Sequence, residues 1–363
     1  MITRLRIDQF RKFGGYHVTD LRPVNLLVGE NGSGKTTVLE VLHFLRSPNP
    51  CSVLTNQAWH RGEVVAERRH RDDSDTYSQA TIEHFFMGHS LRQNERISAS
   101  YTDGAGDETT RFLQIVPVEE VRQLVEQAEY GGRITEKQGA SSIVVDEFTV
   151  GRKGIPSSIR TGRFARIEES SEKFRVGFQA GDLGSIELRA IWDALNQERR
   201  ENDVYRLLRD VLDPNIEDLF FEAGHNFVGN GRNGALVGYT GTDRRIPIGS
   251  LGNGVFQLLC LAVKLQWAAN GIALFDEIGT GLHWSRMGEM WRLIIESARQ
   301  NNTQIFATTH SLDCLKGLSW VCENYEHLGQ FVSVQSIKPE LDEAVALPGE
   351  RLPFAMSQEI EVR

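Results

Sequence analysis

The alternation of apolar and polar positions separates the chain into stretches of different texture. Residues 2–10 read as a strand, turn at Gly14 and Gly15 into a second strand, and lead to the largely apolar run Val24–Val28, which reads as a further strand. Apolar residues at helical spacing over 38–45 predict a helix directly after it. Stretches 81–86, 96–101 and 111–116 have strand character and are separated by polar Gly and Asp turns, which predicts an antiparallel meander. From 117 to 245 the pattern changes to an amphipathic helix (118–128), a Gly- and Ser-rich stretch (131–142) and a basic, glycine-punctuated segment (151–163), together an insertion expected to be partly mobile. Residues 186–212 are again helical in period, with Leu188, Ile191, Trp192, Leu195, Val204, Leu207, Leu208 and Val211 as buried positions and Pro214 as the stop. Beyond 245 a turn (249–254) precedes a helix (255–269), a strand (Ile272–Phe275), a helix (286–299) and a strand (Gln304–Thr308). That alternation predicts an α/β fold with a parallel sheet and crossover helices, built from both ends of the sequence.

Composition narrows the function classes. The 363 residues are 40% hydrophobic and 25% charged, as in ordinary soluble proteins. No apolar stretch reaches membrane-spanning length and the amino terminus lacks a signal-peptide core, so a cytoplasmic location without membrane partners is expected. The four cysteines, Cys51, Cys260, Cys314 and Cys322, lack metal-ligand spacing and read as plain thiols. A net charge of −9 disfavours a globally basic nucleic-acid binder, while leaving DNA binding through a local patch possible. The basic clusters Arg68, Arg69, His70, Arg71 and Arg160, Arg163, Arg166 have acidic neighbours and read as solvated loops, and Asp73 with Asp75 lacks the context of a metal site.

The chemistry lies at the ends of the apolar strands. Val24–Val28 enters Gly29, Glu30, Asn31, Gly32, Ser33, Gly34, Lys35, Thr36, a phosphate-binding P-loop between strand and helix. Its glycines allow backbone N–H groups to face phosphate oxygens, Lys35 reaches the terminal phosphates, and the Thr36 hydroxyl holds Mg²⁺. The strand Ile272–Phe275 ends in two acids, Asp276 placed to hold Mg²⁺ and Glu277 to polarise the attacking water. Another strand runs into His310, a candidate sensor of the γ-phosphate. Ser250 and Gly252 precede an apolar helix and offer an anion site or an ordinary capping turn.

With these elements in this order the chain resembles the ABC-type ATPases, and within them the SMC, RecF and OLD-like branch. Asn31 in the P-loop, the opening strand running into Arg11, Lys12 and Phe13, and the Asp276–Glu277 pair carry the likeness. His60, Arg61, Gly62 and Glu63, the run from Asp276 to His283, the sequence Ala307, Thr308, Thr309, His310, Ser311, and the closing Glu361, Val362, Arg363 extend it toward stand-alone bacterial OLD-like ATPases. The resemblance implies an ABC-type P-loop head with a mixed sheet, an antiparallel meander and a helical or irregular insertion. It implies ATPase lobes at 1–116 and 246–345, the insertion and helical region at 117–245, and a tail at 346–363. It implies ATP and Mg²⁺ as cofactors, with Glu277, Lys35 and His310 catalytic and Thr36 and Asp276 on the metal. Gly29, Asn31, Gly32, Ser33, Gly34, Lys35, Thr36, Thr37, Arg11 and Lys12 would contact the nucleotide.

Two heads would sandwich two nucleotides, Ser250 and Gly252 of one copy completing the site of the other. The turn reads Ser, Leu, Gly, Asn, Gly in place of the usual Ser, Gly, Gly, and no residue is assigned to the glutamine loop. OLD-like proteins often carry a Toprim nuclease domain, for which the stretch after Ser311 is too short, so the implied function is an ATP-hydrolysing dimer switch controlling a separate effector, a Toprim-like nuclease in anti-phage defence. The alternative is a RecF-like repair ATPase that clamps DNA. A transporter's nucleotide-binding subunit fits poorly with this turn and insertion.

Overall fold

The computed structural model describes residues 1–47, 50–68, 76–80, 83–89, 96–117, 141–149, 152–153, 157–160, 163–164, 176–179, 185–221, 235–241 and 245–362. The expected helix at 118–128, most of the Gly- and Ser-rich stretch, Arg69, His70, Arg71, Asp73, Asp75, Arg166 and Arg363 lie outside these residues. The chain forms two compact units: Met1–Thr19 with Glu40–Lys173 and Pro339–Ala344, and Asp20–Leu39 with Phe174–Lys338 and Val345–Arg363.

The first unit is built on an antiparallel sheet. Its strands run Arg163–Phe164, Ser157–Arg160, Ser141–Thr149, Glu108–Pro117, Arg96–Asp103, Ile2–Asp8 and Tyr16–Val18, with Arg152–Lys153 paired to Ser141–Thr149. Ile2, Leu5 and Ile7 are buried while Arg4 and Arg6 are exposed, the alternation that pins one face of a strand to a core. The expected meander is present over 96–103 and 108–117. The strand expected at 81–86 is instead a short 3₁₀ turn, Glu83–Phe85, where described. Phe85 and Phe86 are both buried, Phe85 with its ring 5.7 Å from that of Phe10. Two consecutive buried rings fit a turn better than a strand with one core-facing side. The insertion also differs from expectation: Ser141–Thr149 and Ser157–Arg160 extend this sheet. Ile143, Val144 and Val145 supply strand propensity, and pairing to Glu108–Pro117 supplies the order that the surrounding Ser, Asp and Glu conceal locally.

The second unit carries a mixed sheet in the order Val176–Gln179, Ile272–Phe275, Gln304–Thr308, Val24–Val28, Val332–Ser336, Val345–Pro348. All neighbours are parallel except the last pair. Val24–Val28 is therefore an interior strand, which accounts for its unbroken burial and apolar reading. All eight positions expected to be buried between 188 and 211 are buried. They belong to two helices rather than one, Ser185–Gln197 and Glu201–Val211, separated where Arg199 takes a left-handed backbone (φ 58°) that a helix cannot continue through. A three-stranded antiparallel sheet, Ile216–Phe221, Ala235–Tyr239 and Arg245–Pro247, precedes helix Asn253–Trp267. No described helix is long and apolar enough to cross a membrane.

Candidate nucleotide site

The P-loop follows the interior strand, and its backbone requires glycine. Gly29 has φ 144°, and a Cβ there would lie 2.7 Å from the Ile337 carbonyl oxygen and 2.8 Å from Ser33 Oγ. Gly32 and Gly34 also take positive φ, which lets the loop curl back before helix Lys35–Arg46 begins. Lys35 is buried, its ammonium donating to the Gly29 and Glu30 carbonyls at 2.9 and 3.0 Å. Ser33 and Thr37 are buried, and Ser33 Oγ has no hydrogen-bond partner. Asn31 and Gly32 are exposed. A buried unpaired hydroxyl, a lysine held by loop carbonyls and a helix amino terminus form a set of donors suited to a multiply charged phosphate.

The acids stand two strands away, with Gln304–Thr308 between them and the P-loop strand. Thr36 Oγ1 lies 3.1 Å from both carboxylate oxygens of Asp276, an all-oxygen pair of the kind Mg²⁺ prefers. Glu277 has a left-handed backbone (φ 54°), uncommon for a residue with a side chain. Its N–H donates to Thr308 Oγ1 at 2.8 Å, and its carbonyl accepts from Thr280 Oγ1 at 2.8 Å. The Thr308 hydroxyl donates to Asp276 Oδ1 at 2.6 Å. His310 Nδ1 lies 2.6 Å from Glu277 Oε2, and since a carboxylate accepts, the imidazole donates. Both side chains are open to solvent, His310 at 62% and Glu277 at 37%. A small cavity bordered by Gln257, Phe275, Asp276, Glu277 and Thr280 adjoins the acids.

Lys35, Thr36, Asp276, Glu277 and His310 are thus all in one unit, the last four joined by hydrogen bonds running through Thr308. Thr308 and Thr280 were not legible as site residues, because a threonine ending an apolar strand or entering a turn carries no distinctive spacing. Ser250 is exposed in the 3₁₀ turn Ile248–Leu251 and does not cap the following helix, whose N-cap is Gly252 at φ 98°. Among the described residues, neither Ser250 nor Gly252 hydrogen-bonds to Lys35, Asp276 or Glu277 within the chain. The helix start instead meets the loop after the acids: a Cβ on Gly254 would lie 2.2 Å from the Gly281 carbonyl oxygen.

Arg11 is engaged within the first unit. Its guanidinium donates to Glu40 Oε2 at 3.0 Å, to Glu63 Oε1 at 2.7 Å and to the His84 carbonyl, and it lies 4.4 Å from the centroid of the Phe85 ring. Arg61 takes the other Glu40 oxygen at 2.6 Å. Burial of both Arg11 and Glu40 makes the group a structural ion network, which accounts for the spacing of Arg61 and Glu63. Lys12, beside it, is exposed.

An interior P-loop strand, a strand ending in Asp–Glu and an interposed strand ending beside a histidine define a P-loop nucleoside triphosphatase. An AAA domain model matches residues 4–210, more than half of the chain, and an AAA ATPase domain model matches 167–315; the chain belongs to the AAA domain family and is an ATPase. A curated relative, the ATP/GTP phosphatase of Helicobacter pylori, is 22% identical over 88% of each chain. The DNA replication and repair protein RecF of Acinetobacter baylyi is 46% identical over 44 residues, 12% of each chain. An SMC head bound to the C-terminal winged-helix domain of ScpA aligns at 15% identity and a TM-score of 0.46, covering 98% of this chain and 99% of that one.

Proposed function

We propose that this ATPase is a nucleotide-dependent dimer switch. ATP binds at the P-loop through the loop amides, Lys35 and Ser33, while Thr36 and Asp276 hold Mg²⁺, which when bound neutralises charge on the phosphate oxygens. Glu277 takes the proton of the attacking water. His310, in contact with Glu277 through Nδ1, ties the base to the presence of the terminal phosphate. Ser250 and Gly252, exposed on their turn and without an intrachain link to Lys35, complete the site of a second copy. The single observation that carries the reading is the chain of hydrogen bonds from Thr36 through Asp276 to Glu277 and His310. The switch acts in the cytoplasm on a separate effector, a Toprim-like nuclease in anti-phage defence.

The test is hydrolysis by two variants. Glu277→Gln keeps ATP binding and loses about 10²- to 10⁴-fold in kcat, the range for removal of a general base, whereas Lys35→Ala loses ATP binding itself. Normal turnover by Glu277→Gln contradicts the base assignment. Effector control is tested by affinity purification with and without ATP, followed by identification of the co-eluting chains; a nuclease retained in one nucleotide state alone is the expected result. The local RecF similarity supports a second reading, a DNA clamp. A salt-sensitive, ATP-dependent shift of duplex DNA is its mark, and absence of binding at low salt removes it.

A further inference from the structure

Thr308 ends the strand interposed between the P-loop strand and the acidic strand, and its side chain is fully buried. A hydroxyl has one hydrogen to give and two lone pairs to receive. Thr308 gives its hydrogen to Asp276 Oδ1 at 2.6 Å and receives the Glu277 N–H at 2.8 Å, so one side chain binds two consecutive acids in different ways. Its main-chain carbonyl also accepts the Ile278 N–H at 2.9 Å. Thr308 therefore holds both sides of the left-handed residue Glu277, and Thr280 holds the Glu277 carbonyl. A glutamate leaves that backbone region readily unless its surroundings fix it.

We infer that Thr308 is a positioning residue for ATP hydrolysis: its hydroxyl sets the Asp276 carboxylate against Thr36 and locks the Glu277 turn that aims the base at His310. This inference rests on the roles proposed for Asp276 and Glu277. The Thr308 hydroxyl touches neither water nor phosphate in this account. Its effect passes through the two acids, as outer-shell partners act on metal ligands. A threonine that merely packed the strand end would be replaced by valine with little consequence, since the shape is retained.

The experiment compares Thr308→Val, which removes the hydroxyl, with Thr308→Ser, which keeps it, in the full chain. Measured are kcat, KM for ATP, the Mg²⁺ concentration for half-maximal rate, and binding of a fluorescent ATP analogue without Mg²⁺. Thr308→Val is expected to lose about 10- to 100-fold in kcat and to need more Mg²⁺, with metal-free nucleotide affinity within about threefold of the parent. Thr308→Ser is expected to recover most of the rate. Unchanged kcat and Mg²⁺ dependence in Thr308→Val overturns the inference, as does a serine variant as slow as the valine one. If the valine variant does not fold, Thr308→Ala removes the same hydroxyl with less bulk and is judged on the same measurements; if it too fails to fold, the serine variant decides, since most of the parental rate and the parental Mg²⁺ dependence are required of it. Glu277→Gln run in parallel separates the two levels: normal turnover there removes the reading of the site, whereas a slow Glu277→Gln beside a normal Thr308→Val removes only the role of Thr308.

Discussion

Single side chains here are specified by burial as much as by chemistry. Lys35 is buried among P-loop carbonyls, a position tolerable for an ammonium because two of its donors are satisfied there. The cysteines show the inert version of the same effect. Burial pushes the Cys314 thiol up to about 11, and burial, assisted by the nearby Glu350 carboxylate, pushes Cys322 up to about 12. Thiolate is the reactive form, so at pH 8 both are almost wholly protonated as well as shielded. Iodoacetamide applied to the native protein at pH 8 is expected to label these two at least about 100-fold more slowly than after denaturation. Rapid native labelling at Cys314, read by peptide mass, contradicts the burial described.

At the scale of elements, the buried pair Arg11 and Glu40, with the partly buried Glu63 and the more exposed Arg61, ties the first strand's end to the helix after the P-loop and to the turn at 61–63. Losing one member leaves buried charge uncompensated, so Arg11→Met is expected to lower the free energy of unfolding by about 3–5 kcal/mol. Urea denaturation reads this directly, and a loss below about 1 kcal/mol puts Arg11 outside the structural network.

Which elements were legible follows from how local their causes are. Val24–Val28, Ile272–Phe275 and Gln304–Thr308 were readable because interior parallel strands are predominantly apolar, and the acids and histidine at their ends stood out against that background. Strands such as Ser141–Thr149 were not, because their order comes from a partner distant in sequence. The short turn Glu83–Phe85 was missed because aromatic residues suit strands by propensity, and its buried rings are explained only by Phe10. For the candidate site, the P-loop and the Asp276–Glu277 pair announce themselves by residue type and spacing. Thr308 acquires its place through the register between neighbouring strands, Phe275 beside Ala307, which no single stretch of sequence states.

For the whole molecule, the proposed switch joins an ATPase site to a change of assembly. Ser250 and Gly252 face solvent and share no hydrogen bond with the chain's own P-loop lysine, while Gly254 touches Gly281 in the loop that follows Glu277. A second copy bringing its Ser250 to the bound triphosphate would therefore connect one subunit's hydrolysis with the other's grip. Binding of ATP favours the closed pair only insofar as the pair binds ATP more tightly than the separate chains do. Glu277→Gln, which keeps the triphosphate intact, exposes that preference. The most direct measurement is the mass of Glu277→Gln in solution by light scattering, with Mg²⁺ and either ATP or ADP. A dimer with ATP and a monomer with ADP is the predicted result. A monomer at saturating, demonstrably bound ATP contradicts the switch.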